Sequence, residues 1–104
     1  MIGSAVDIRI GEGGIYLSAS VCEQYFGGVE AVILLRWEND IGILPVRHAA
    51  AGGYLLKRRN LAGDCLVFAP EFFEHVNRRN APVECFEAQW DDGRAALLVR
   101  DYCK

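Results

Sequence analysis

Short apolar segments, each stopped by Gly, Asn or Asp, run through this chain in one order twice, and that recurrence limits its possible folds more than any other feature. Val6 to Ile10 leads through Gly11-Glu12-Gly13-Gly14 to Ile15 to Leu17, which reads as a hairpin. Ser18 to Phe26 follows as a short helix. Ser20 and Glu23 have capping-box spacing, Val21 and Tyr25 share a face, and Gly27-Gly28 ends it. Glu30 to Trp37, a turn at residues 38–40 and Ile41 to Val46 make a second hairpin. The order then repeats. Tyr54 to Asn60 pairs with Asp64 to Phe68, a helix spans Pro70 to Val76 with Pro70 at its first position, and Val83 to Trp90 turns into Arg94 to Val99.

An offset of 51 matches Ile15-Tyr16-Leu17 with Leu66-Val67-Phe68, and Val21, Cys22, Glu23 and Tyr25 with Phe72, Phe73, Glu74 and Val76. An offset of 53 then matches Trp37 with Trp90, Leu44 with Leu97 and Val46 with Val99. The expectation is a single domain, 1–104, built from repeats 5–46 and 54–99 joined by a crossing segment at 47–53. One such ββαββ unit is too small to bury a core of its own, whereas two fused units can close their strands around a shared one. The crossing segment holds three alanines and two glycines, too short to separate independent domains.

Composition agrees with a small folded unit: 104 residues, 52% hydrophobic and 24% charged, unlike a disordered tail. The formal charge of −3 excludes a uniformly basic nucleic-acid binder. Residues 1–10 lack a basic and apolar leader, and the apolar run 31–35 is far short of the ~20 residues that span a bilayer, so a cytoplasmic protein with no membrane contact is expected. Cys22, Cys65, Cys85 and Cys103, spaced by 43, 20 and 18 residues, form no CxxC or Cys/His knuckle. Free thiols are expected in a reducing compartment, with Cys22 and Cys85 packed as small hydrophobes.

The segment Leu66-Val67-Phe68-Ala69-Pro70-Glu71-Phe72-Phe73-Glu74, with the looser Ile15-Tyr16-Leu17-Ser18-Ala19-Ser20-Val21-Cys22-Glu23, resembles the swapped-hairpin family of the AbrB transition regulators. Two copies in one chain are similar to its tandem-repeat form, MraZ. The resemblance spans roughly residues 6–99. It implies a mainly β fold with two short helices: an internally duplicated, interleaved swapped-hairpin (cradle-loop) β-barrel acting as a pseudo-dimer. It also implies DNA binding without catalysis or cofactor, through the first hairpin of each unit. A double-psi barrel, likewise built from two interleaved halves, is the related topology, and such barrels serve enzymes and adaptors alike.

Among polar residues the basic stretch stands out. No acid occurs between Asp40 and Asp64, where Arg47, His48, Lys57, Arg58 and Arg59 lie. Lys57, Arg58 and Arg59 precede a turn where guanidinium forks suit backbone phosphates, and a solvated strand edge is the alternative use. The matching strand in unit one offers only Arg9, opposed by Asp7 and Glu12. Residues 1–52 carry 3 bases and 6 acids, and residues 53–104 carry 8 of each. Arg78 and Arg79 suit the C-terminus of the second helix, while Glu84, Glu87, Asp91 and Asp92 make the last hairpin's outer side negative. His75 with Glu71 and Glu74 reads as a surface ion pair rather than a metal site, and Trp37 and Trp90 as core anchors or a shared interface. No catalytic residue, metal or cofactor is expected. The leading expectation is a non-enzymatic DNA-associated transcriptional regulator using Lys57, Arg58, Arg59 and Arg9, monomeric as a pseudo-dimer or homo-oligomeric. The alternative is a protein-interaction or accessory module with sheet edges or Phe72, Phe73 and Trp90 as its contacts. A small-molecule-binding barrel is a third class, without a visible polar constellation.

Overall fold

Alternation in the strands decides which residues face inward. Strand β1 (Val6–Gly11) buries Ile8 and Ile10 and leaves Asp7 and Arg9 outside, and β2 (Gly14–Leu17) buries Ile15 and Leu17 with Tyr16 half-exposed. The chain continues through α1 (Ala19–Phe26), β3 (Ala31–Trp37), β4 (Asp40–Val46), β5 (Tyr54–Arg58), β6 (Cys65–Phe68), α2 (Pro70–His75), β7 (Glu84–Asp91) and β8 (Ala96–Val99), the last buried at all four positions. This computed structural model describes residues 5–46 and 53–103, so all of the expected crossing segment except Gly53 lies outside the described residues, as do Arg47 and His48.

The eight strands close into an antiparallel barrel in the order β1-β2-β6-β5-β3-β4-β8-β7, with β7 returning to β1. Closure removes the free edges that an open sheet would expose. Four seams join strands from opposite halves of the chain: β1 with β7, β2 with β6, β3 with β5, and β4 with β8. The core therefore draws on both halves, including Ile8, Ile15, Phe26, Val32, Ile41, Val67, Phe73 and Leu97. Tyr102, beyond β8, is 3% exposed and meets the rings of Phe73 and Phe86 edge-on. Burial pushes its phenol above the ordinary value of 10.0.

The elements match those expected from sequence, but several details differ. Helix α1 is capped by Ser18, whose Oγ accepts the Val21 amide at 3.3 Å, and not by the expected Ser20. The 51 and 53 offsets set inward residues against outward ones: Ile15 is buried and Leu66 half-exposed, and Leu44 is half-exposed where Leu97 is buried. Side chains alternate with period two, so a one-residue slip exchanges the faces of a strand. The two tryptophans differ in the same way. Trp90 packs on the core and stacks on Tyr25 at 5.1 Å, whereas Trp37 covers Gly42 on the outside beneath the Arg94 guanidinium.

The cysteine expectation is corrected twice. Cys22 on α1 and Cys65 on β6 form a disulfide across the two halves, with Cα atoms 6.4 Å apart. Cys85, expected to be buried, is exposed because it falls on the outward phase of β7, and Cys103 is half-buried. No helix among the described residues is long and apolar enough to cross a membrane.

Candidate functional site

Strands β1, β2, β6 and β5 lie side by side, and their outward residues form rows across the barrel. The first row runs Arg9–Tyr16–Leu66–Lys57, with Cys85 of β7 beside Arg9. Three strand spacings of about 4.8 Å separate its ends, so Arg9 and Lys57 stand about 14 Å apart at their Cα atoms. Just beyond this row, Phe68 of β6, 60% exposed, pairs with Gly14 of β2, and Leu55 of β5, 54% exposed, pairs with Ala31 of β3. The Arg59 guanidinium, just beyond β5, sits over the Tyr16 ring 5.1 Å from its centroid. Arg9, Tyr16 and Arg59 thus line one groove of about 420 Å³, together with Asp7, Asp64 and Cys85.

The loop carrying Arg59 is held from both sides. The Arg59 amide donates to the Asp64 carbonyl at 2.6 Å, and Gly63 supplies the left-handed φ of +97° that the turn needs. The Asn60 side-chain amide donates to one Asp64 carboxylate oxygen at 2.9 Å. The other oxygen accepts the Ala19 amide at 2.8 Å, at the start of α1. Asp64 therefore caps a helix from the opposite half of the chain. The Asn60 hydrogen bond, then the Ala19 amide, hold its carboxyl below the ordinary 3.8, and the Arg59 charge adds to this against a small desolvation effect.

Those bonds come from neutral amides, so Asp64 keeps its negative charge beside Arg59. Asp7 is the second acid of the groove and lies opposite Glu87 of β7. Arg79 and Glu74 form an ion pair at 3.3 Å, and Arg59 acts on the Asp64 carboxylate through its charge. No group of three potential metal ligands occurs among the described residues.

The four basic residues singled out in the sequence do not act as one set. Arg9, Lys57 and Arg59 share the outer face, but Arg58 takes the inward phase at the end of β5. It borders a separate groove of about 720 Å³ near the C-terminal turn of α1, lined also by Glu23, Leu61 and the Cys22–Cys65 pair. Arg78 lies over the Tyr102 ring at 5.1 Å and Arg79 pairs with Glu74, so both serve the packing around α2. Glu87 and Asp91 take the outward phase of β7, while Glu84 pairs opposite inward-facing Ile10.

Tyr16, Leu55 and Phe68 were missed as site residues. Their outward phase was readable from strand alternation, but the adjacency of β2 to β6, which joins Tyr16 to the basic strand, depends on the closed barrel. The face can bind phosphate oxygens through three cations and stack a planar ring on Phe68 or Tyr16. Compared with protein-family models, with curated proteins and with solved structures, the chain matches none.

Proposed function

We propose that this chain is a non-enzymatic, DNA-associated regulator built on a duplicated, swapped-hairpin barrel of the AbrB-like kind. The observation that carries this reading is the convergence of Arg9 and Arg59 on Tyr16, in one groove, with Lys57 on the same row. A chain with a net charge of −3 has here gathered three cations, Arg9, Lys57 and Arg59, against the two carboxylates of Asp7 and Asp64, a local surplus of the sign that phosphate binding needs. The one-sidedness of the sequence, with only Arg9 in the first half, matters less once both halves supply the same groove.

Support for the duplicated architecture comes from the seams. Ile8 faces Phe86 as Tyr54 faces Val32, and Arg9 faces Cys85 as Leu55 faces Ala31. Matching the halves this way pairs inward side chains with inward ones, as an offset of 52 does for Ile15 and Val67 in the β2–β6 seam. Each half's first hairpin then pairs with the second hairpin of the other half, as in a swapped dimer fused into one chain. The reading carries a cytoplasmic location, where the buried Cys22–Cys65 bridge must persist against cellular thiols. Its low exposure restricts thiolate attack.

A mobility shift against mixed-sequence DNA, single- and double-stranded, across a salt series tests the binding. Each of Arg9→Ala, Lys57→Ala and Arg59→Ala should reduce the salt slope by roughly one, and Arg58→Ala should leave it unchanged. Absence of binding to either DNA form at low salt refutes the reading. A second reading, a protein-interaction module, is favoured by the openness of Phe68 and Leu55. In that case Phe68→Glu abolishes partner capture while the salt series has little effect.

A further inference from the structure

We infer that the β1-β2-β6-β5 face binds single-stranded DNA in preference to duplex, an assignment that rests on the DNA reading above and specifies its substrate. The cations do not stand on a protruding hairpin or helix. They stand at the two sides of a four-strand face of a closed barrel, Arg9 on β1 and Lys57 on β5 with Arg59 just beyond it, and about 14 Å separates Arg9 from Lys57 before side chains are added. A duplex major groove, about 12 Å wide, admits a helix or a two-stranded ribbon, so a four-stranded convex face meets duplex DNA only at its outer phosphates.

The apolar residues of the same face point the same way. Phe68 of β6 and Leu55 of β5 are more than half exposed, and each lies two residues along its strand from Leu66 or Lys57 of the basic row. In duplex DNA the base faces are stacked on each other, so Phe68 would gain no partner. An unpaired strand offers each base face for stacking while its phosphates run past the cations. Arg9, Lys57 and Arg59 give this face three cations against two carboxylates, Asp7 and Asp64, a surplus of one positive charge for a passing phosphate chain.

The test is fluorescence anisotropy on the full chain, with a labelled oligothymidylate and a mixed-sequence duplex of equal length at one low salt concentration. The single strand should bind at least about tenfold more tightly. Phe68→Ala should weaken it by about tenfold, the usual scale of one base–aromatic stack, and leave duplex binding unchanged. Because Phe68 is largely solvated, unchanged circular dichroism and melting of the variant confirm that it folds. Arg59→Ala should lower the single-strand salt slope by roughly 0.7. Duplex binding as tight as the single strand, or a Phe68→Ala variant that binds normally, overturns the inference and leaves the DNA reading standing. An oligouridylate bound more tightly than the oligothymidylate overturns the DNA assignment of this face. Failure of both DNA forms to bind removes the DNA reading itself.

Discussion

Opening the Cys22–Cys65 bridge should be the most damaging covalent change available to this protein. The bridge spans 43 residues and ties α1, from the first half, to β6, from the second. In the chain-entropy description, closing a loop of that length stabilises the folded state by about 4 kcal/mol. A domain of this size unfolds with an entropy near 0.2 kcal/mol/K, so the loss should lower the melting temperature by roughly 15–20 °C. Calorimetry of the oxidised protein, the protein held in dithiothreitol, and a Cys22→Ala/Cys65→Ala variant measures this directly. The reduced protein and the double variant should melt close together, well below the oxidised form. Alkylation before reduction gives an independent check. Exposed Cys85 should label quickly, and Cys103 slowly, since burial pushes its thiol above the ordinary 9.0. Cys22 and Cys65 should be recovered as one linked peptide pair. Coincident melting curves, or four alkylated thiols in air-oxidised protein, would refute the argument.

Asp64 gives a pH dependence of definite sign. Its folded carboxyl titrates below 3.8, so its contribution is complete above that value and is lost as pH falls through the lowered folded value. Urea unfolding of Asp64→Asn should therefore differ from the parent near neutrality and converge with it in acid. Gly11→Ala sets a methyl against the backbone of Pro82 and Val83 at the β1–β7 seam and should cost about 1–3 kcal/mol in chemical denaturation. Gly28→Ala meets no neighbouring atom and strains only its φ of +73°, so about 1 kcal/mol is expected there. Residues 1–52 and 53–104 expressed apart should each lack cooperative melting, because every cross-half seam is then missing. Two halves that each melt cooperatively alone would contradict the shared core.

Much of the fold was legible in local patterns. Gly, Asn and Asp punctuation separated eight strands and two helices, and Pro70 marked the start of α2. The equivalence of Trp37 and Trp90 was misleading, because similar positions before a turn do not fix which face a side chain occupies. Only the partner strand and its register do so: Trp90 lies opposite buried Leu97, and Trp37 leans across to Gly42. For the site, the bases at 57–59 were visible as a run, yet a strand directs neighbours to opposite faces. Arg58 therefore left the group, and Tyr16 and Phe68 entered it.

The sequence by itself determined the order of the elements and roughly where each begins and ends, since turn residues act over a few neighbouring positions. Tertiary structure decided everything that depends on which distant segments touch: the β2–β6 and β1–β7 seams, the Cys22–Cys65 bridge, the capping of α1 by Asp64, and the meeting of Arg9 with Arg59 at Tyr16. Their physical reason is common to all of them. Closing the barrel satisfies the backbone donors and acceptors of every strand edge at once, and that closure sets side chains more than 40 residues apart against each other.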